Sequence, residues 1–242
     1  MCETIKEFLA RPDIKEIKDR HSYGELMSED FFRDPFRPMF SNPELMYAPA
    51  DGIVLYTKES VKPIDFLDIK GKDFSLKEML ADESYEEPSL VIGIFMSYLD
   101  VHINRVPANC FYLDTRETNQ IVTHGVSMLM MENELLEDFH LDPKALEYLV
   151  HNEKQASVFY CPAINGRFYI VQVADKDVDV ILNWGKGKFV YQGDRFGQIR
   201  HGSQCDVCIP RKPGIDYEFL VKPLDHVEAG IDPILRIIKG KK

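Results

Sequence analysis

The chain has no apolar run near the roughly 20 residues that a membrane-spanning helix needs. Its longest candidates, Leu90 to Met96 and Val178 to Leu182, have the length of buried strands. The first residues mix acids with lysines and lack the apolar stretch of a secretory signal, so a cytoplasmic chain is expected. Cysteines are few, odd in number and scattered (Cys2, Cys110, Cys161, Cys205, Cys208), which argues against a disulfide framework. Cys205 and Cys208 form a CxxC, but in a strand positions three apart point to opposite faces, and no second Cys or His pair follows at zinc spacing. The seven histidines show neither HExxH nor His-x-His, so no metal is expected; His21, His140, His151 and His226 lie in polar contexts and are read as surface residues. Positive charge is also short. A net charge of −11 disfavours nucleic acid as a partner. Repeats and low-complexity linkers are absent as well.

What is present is a series of short apolar runs divided by turn residues. Strands are expected at 52–56, 89–96, 110–113, 120–122, 156–160, 168–174, 178–182, 189–191, 195–200 and 205–209. Helices fit 75–81 and 143–151, the second after Asp142 as candidate N-cap, and one or two amphipathic helices fit 3–20, broken at Pro12. The fold class this implies is α+β, mostly antiparallel β, with a barrel- or sandwich-like core and a few peripheral helices. An N-terminal helical segment, 1–40, would lie on or beside a domain formed by 41–242.

Three segments carry chemistry. Tyr47-Ala48-Pro49-Ala50-Asp51-Gly52 offers an acid, Phe95 to Pro107 offers His102, and Gly197-Gln198-Ile199-Arg200-His201-Gly202-Ser203-Gln204 offers a hydroxyl. Each alone has an ordinary structural reading: a turn, a satisfied core histidine, a loop dipeptide. Together they hold the parts that activate a serine oxygen. A hydrolase elbow, Gly-x-Ser-x-Gly, is missing around Ser203. A serine directly after a glycine in a tight turn suits another reaction, attack of its Oγ on the carbonyl of the residue before it.

These residues resemble the phosphatidylserine decarboxylase family, in its short branch. The likeness runs in order through Phe31-Phe32-Arg33-Asp34-Pro35-Phe36-Arg37 and Ala48-Pro49-Ala50-Asp51-Gly52, then Ile69 to Leu76. It continues through Phe95-Met96-Ser97 with Asp100-Val101-His102-Ile103-Asn104-Arg105-Val106-Pro107, and through Met131-Glu132-Asn133-Glu134. It ends with Gly193 to Ser203, Asp206-Val207 and Ile209-Pro210. The resemblance implies a self-processing precursor cut between Gly202 and Ser203. The products would be a β chain, 1–202, and an α chain, 203–242, whose Ser203 becomes a pyruvoyl cofactor. It implies Asp51, His102 and Ser203 as catalytic residues, His102 taking the proton and Asp51 orienting and charging it. The pyruvoyl carbonyl would then bind the substrate amine and act as an electron sink while carbon dioxide leaves.

The sequence departs from the family at four places. Arg105 stands where many relatives have a second histidine, His201 where they have Phe or Leu, Gln204 where Arg or Thr is usual, and Leu135 where Arg is usual. Arg105, His201 and Gln204 are therefore candidates for substrate-binding or auxiliary roles. Three readings are carried forward. The first makes phosphatidylethanolamine from phosphatidylserine, with peripheral contact to the cytoplasmic membrane through an apolar entry at Phe31, Phe32, Phe36 and Met39; packing of these aromatics on the core is an equal reading. The second keeps the pyruvoyl chemistry for a soluble amino acid or unusual head group. The third is an uncleaved pseudoenzyme that binds lipid or a partner. Homo-oligomer formation is compatible with all three.

Overall fold

The computed structural model describes residues 2–20, 22, 24–25, 30–61, 66–69, 72–117, 125–176, 181–199 and 203–240. In chain order the strands among them are β1 (Glu3–Thr4), β2 (Leu45–Tyr47), β3 (Gly52–Ser60), β4 (Leu67–Ile69), β5 (Lys72–Phe74), β6 (Ser89–Met96), β7 (Ile103–Arg105), β8 (Cys110–Glu117) and β9 (Lys154–Cys161). There follow β10 (Gly166–Ala174), β11 (Ile181–Asn183), β12 (Phe189–Val190), β13 (Arg195–Ile199), β14 (Ser203–Pro210), β15 (Ile215–Phe219), β16 (Asp225–Val227) and β17 (Pro233–Lys239). The helices are α1 (Ile5–Ala10), α2 (Pro12–Arg20), α3 (Leu76–Leu80), α4 (Leu129–Asn133) and α5 (Tyr148–His151), with 3-10 turns at Asp30–Phe32 and Pro143–Glu147 and a π turn at Glu134–Asp138. None of these helices is long and apolar enough to cross a membrane.

One antiparallel sheet dominates, in the order β1-β16-β3-β6-β14-β10-β9-β8-β12. Small sheets β11-β13-β7, β15-β17-β2 and β4-β5 fold around it. The antiparallel, mostly β architecture with few helices is as expected, but the large sheet stays open: β1 and β12 are its two edges. A sheet can be this wide because both faces are covered. All eight residues of β6 and all eight of β14 are buried; β6 accordingly reads as a near-continuous apolar run, whereas β14 also buries Ser203, Gln204 and Asp206. On one face Val54, Ile94, Val207 and Ile209 join the stacked rings of Tyr112, Phe159 and Phe168; on the other Ile53, Phe95, Tyr169 and Val171 meet α3, α4 and α5. Cys205 belongs to the first core and Cys208 to the second, as strand alternation requires, and all five cysteines are free thiols.

The short helices are held by their ends. Thr4 and Glu7 close a capping box on α1, and Ser75 and Glu78 close another on α3. Pro12 separates α1 from α2, and Phe8 of α1 is buried with Ile14 and Leu99. The expected strand at 120–122 lies outside the described residues.

Candidate active site

Ser203 opens β14, the strand between β6 and β10, opposite Met96 on one side and Ala174 on the other. It is fully buried. Its hydroxyl donates to the sulfur of Met96 at 3.2 Å. A thioether is a weak acceptor, so this contact places the oxygen without strongly engaging it. The same sulfur lies 3.8 Å from the side-chain amide of Asn104, whose oxygen accepts from Gln172 at 2.8 Å. His201 and Gly202 lie outside the described residues.

His102 is buried in the segment joining β6 to β7, its ring stacked on Phe31 with centroids 3.7 Å apart. Its Nδ1 is 3.0 Å from the carbonyl oxygen of Asp100. A carbonyl can only accept, so Nδ1 carries the proton and Nε2 is the basic nitrogen of the neutral ring. The Asp100 carboxylate is fully engaged in turn. One oxygen accepts from the Ser97 amide at 2.8 Å and the Ser97 hydroxyl at 2.6 Å, and the other meets His226 Nε2 at 2.7 Å. Burial alone would raise the Asp100 pKa, but the His226 charge and the Ser97 hydrogen bonds outweigh it and hold the group below the usual carboxylate value.

His226 overturns the surface reading given above: it is 1% exposed. It stacks on Phe8 at 3.6 Å, and its Nδ1 is 3.6 Å from Glu3. Burial pushes its pKa down, yet Asp100 and Glu3 prevail and lift it to about 9. The local sequence Asp225-His226-Val227-Glu228 suggested solvent because an acid lies within two residues on each side of the histidine. The fold instead pairs this strand with β3 on one side and β1 on the other.

Asp51, just before β3, is held by Arg37 through two bonds of 2.5 Å. Arg37 also donates to the Ala229 carbonyl at 2.8 Å, and the Ala229 amide donates to Asp51 at 2.8 Å. Burial disfavours the Arg37 charge, but the Asp51 carboxylate more than compensates and keeps it cationic. Gly52 follows because nothing larger fits: a Cβ there would lie 2.0 Å from the Phe95 carbonyl oxygen, at φ +149°.

Segment 225–229 therefore touches both acids of the site, His226 against Asp100 and Ala229 against Asp51. A cavity of about 330 Å³ opens beside them, lined by Phe8, Arg11, Arg33, Arg37, Asp51 and Asp100 among others. Of the four residues expected at an apolar entry, Phe31 is buried against His102, Phe32 is partly buried, and Phe36 and Met39 are exposed at 93% and 58%. Arg105, in the place of a second histidine, donates to the Gly193 carbonyl at 3.0 Å and to Asp34 at 2.9 Å. Tyr98 N–H donates to Glu132 at 2.8 Å, tying two sequence blocks that lie 34 residues apart. Burial lifts the Glu132 carboxyl to about 7.

Gln204 points away from Ser203, as the next residue in a strand must. Its amide donates to both oxygens of Asp206 at 2.9 Å and to the Tyr56 hydroxyl at 2.8 Å, and its oxygen accepts from Tyr148. Tyr56 donates to Asp206 at 2.6 Å. Burial raises the Asp206 pKa to about 7, against the pull of those two hydrogen bonds.

Comparison with known proteins bears on this arrangement. The family model for phosphatidylserine decarboxylase matches residues 27–234. The chain belongs to the phosphatidylserine decarboxylase family. It is 29% identical to a putative archaetidylserine decarboxylase proenzyme of Methanothermobacter thermautotrophicus, over 92% of this chain and 88% of that one. It is 30% identical to a protein of the same description from Methanopyrus kandleri, over 86% and 80%. A phosphatidylserine decarboxylase proenzyme of Geotalea daltonii is 29% identical over 83% and 74%. As a phosphatidylserine decarboxylase family member the chain is a carboxy-lyase of phospholipid synthesis.

Sequence reasoning for this decarboxylase missed Arg37, Asp100 and His226 as partners of the expected residues. Asp100 sits two residues before His102 inside a quoted family block, which was a usable signal, whereas Arg37 lies 14 residues from Asp51 and gave none. His226 offered none, because its contacts are made 126 and 223 residues away in sequence.

Proposed function

We propose that this chain cuts itself before Ser203 and then decarboxylates phosphatidylserine to phosphatidylethanolamine. One observation supports this above others: the serine that follows Gly202 heads a fully buried central strand with a lightly held hydroxyl, in a chain of this family. In the proposed step Ser203 Oγ attacks the Gly202 carbonyl carbon, the peptide C–N bond breaks, and an ester replaces it. Loss of the Ser203 Cα proton then expels the Gly202 carboxylate. Water hydrolyses the resulting enamine, releasing ammonia and leaving a pyruvoyl cap on residues 203–242.

His102 Nε2 is the proton acceptor in this reading, its ring fixed by Phe31 and the Asp100 carbonyl. Asp51, its charge balanced by Arg37, ties the chain before β3 to the segment that carries His226. The site suits the cofactor: Met96 and Ala174 flank Ser203 without a competing charge, and Asn104 supplies an amide on the same sulfur. A pyruvoyl carbonyl supplies the electron sink for the carbanion left when carbon dioxide departs. His102 is also the proposed donor of the proton that carbanion takes up. A serine phospholipid carries both charge signs in its head group and would bring it to the cavity, whose lining holds Arg11, Arg33 and Arg37 together with Asp13, Asp51, Asp100 and Glu228, while the exposed Phe36 and Met39 would meet its apolar part at a membrane surface.

Mass spectrometry of the purified protein tests the reading. The expected result is loss of a fragment of about 4–5 kDa, the share of 28.0 kDa carried by residues 203–242, with a carbonyl at its N-terminus. Ser203→Ala should abolish both scission and phosphatidylserine decarboxylation. An intact wild-type chain without a hydroxylamine-reactive carbonyl, or a Ser203→Ala chain that still splits there, would refute it.

A further inference from the structure

We infer that His226 is a positioning residue for His102, acting through Asp100 as the second imidazole of the site. The inference rests on the function proposed above but concerns a residue outside the family blocks. The second block holds Arg105 where many relatives have another histidine, and Arg105 is spent on Asp34 and the Gly193 carbonyl. Among the described residues, an imidazole linked to His102 through Asp100 comes from β16 instead. His226 Nε2 lies 2.7 Å from Asp100, both side chains 1% exposed.

Asp100 is a two-ended link. Its carboxylate binds His226 and Ser97, while its backbone carbonyl receives the His102 Nδ1 proton. Fixing the carboxylate fixes the backbone of residues 97–102, and hence the tautomer that leaves Nε2 of His102 as the base. The groups that face His226 are consistent with a cation. Glu3 of β1 lies 3.6 Å from Nδ1, Asp100 lies on the other side, and Asp51 adds negative potential across β3. Arg11 opposes them but is drawn off by Glu3, Asp13 and Glu228. The Phe8 ring covers one face of the imidazole and excludes water. Because residue 226 lies after the proposed cut and residues 100 and 102 before it, the smaller piece would hold the base of the larger one in register.

Two readouts test this, and one needs no cleavage. In Ser203→Ala protein, nitrogen NMR of the imidazoles should show His102 as the Nδ1–H tautomer and His226 as a cation up to about pH 9. Adding His226→Gln should convert His102 to a tautomer mixture. An unchanged His102 signal overturns the inference, whatever happens to processing. In the wild type, the self-cleavage rate should fall above about pH 9, as His226 loses its proton. His226→Gln should slow cleavage about 10- to 100-fold, the range expected when a base is displaced by about an ångström, and should lack that alkaline limb. A folded His226→Gln chain that cleaves at the wild-type rate with the limb retained also overturns it. Should the variant not fold, a wild-type cleavage rate that stays flat through pH 10 does the same. A wild-type chain that never cleaves sinks the parent reading, and the NMR comparison still decides this one.

Discussion

Replacing Arg37 with leucine isolates the ion pair that locks Asp51. The two side chains are 6% and 5% exposed and share two bonds of 2.5 Å, and Arg37 also satisfies the Ala229 carbonyl. Removing the cation leaves a buried carboxylate whose remaining described partner is the Ala229 amide. Breaking a buried pair from one side costs about 3–5 kcal/mol, because the survivor stays desolvated and uncompensated. In a domain of this length each kcal/mol moves Tm by about 2–4 °C, so Arg37→Leu should lower Tm by about 6–20 °C. The measurement is thermal unfolding by circular dichroism, with every protein carrying Ser203→Ala so that chain scission does not enter. Adding Asp51→Asn removes the stranded charge, and the double variant should regain most of the loss. A single variant within about 1 kcal/mol of its parent, or a double variant as weak as the sum of the two singles, would refute the assignment of this pair as a charge lock.

Gly52→Ala forces a Cβ to 2.0 Å from the Phe95 carbonyl and should cost about 3 kcal/mol or more; an unchanged Tm would show that β3 can shift freely there. Asp206 and Glu132, both lifted to about 7 by burial, bind protons in the folded chain that the unfolded chain has released by about pH 5. Their contribution to stability should therefore decline as pH rises from about 4 to about 7, and the contribution of the His226 proton should carry the decline on to about pH 9. In Asp206→Asn protein the first part of that decline should be shallower, with Glu132 sustaining the remainder, and urea midpoints across this range are the check. Identical slopes in parent and variant would place the Asp206 proton elsewhere.

The strands were legible because apolar runs and turn residues alternate so regularly: β6 matches the expected 89–96 end to end, and β9, β10 and β14 extend their expected spans by a few residues. Pro12 split the N-terminal helices where expected. The sheet's openness was not legible, since closure depends on which edges meet in space and not on any local pattern. At the site, Asp51, His102 and Ser203 stood out by residue type and order. Their partners did not. Arg37 reaches Asp51 across 14 residues and His226 reaches Asp100 across 126, so no local periodicity encodes either contact. Gln204 looked like a substrate contact from its place in the motif; strand alternation turns it toward Tyr56, Tyr148 and Asp206 on the opposite face from Ser203. That alternation was available from the sequence once β14 was drawn to begin at Ser203 and not at Cys205.

The place of β14 inside the large sheet has a further result for a chain severed at its head. Eight residues of that strand are zipped to β6 and six to β10, and β16 beyond it is stitched to β3 and β1. A nick before Ser203 frees one end of an interior stave while its neighbours stay clasped around it. The two pieces would stay mated for the lifetime of the fold, never trading partners with other molecules, and each enzyme would keep the cofactor made from its own serine.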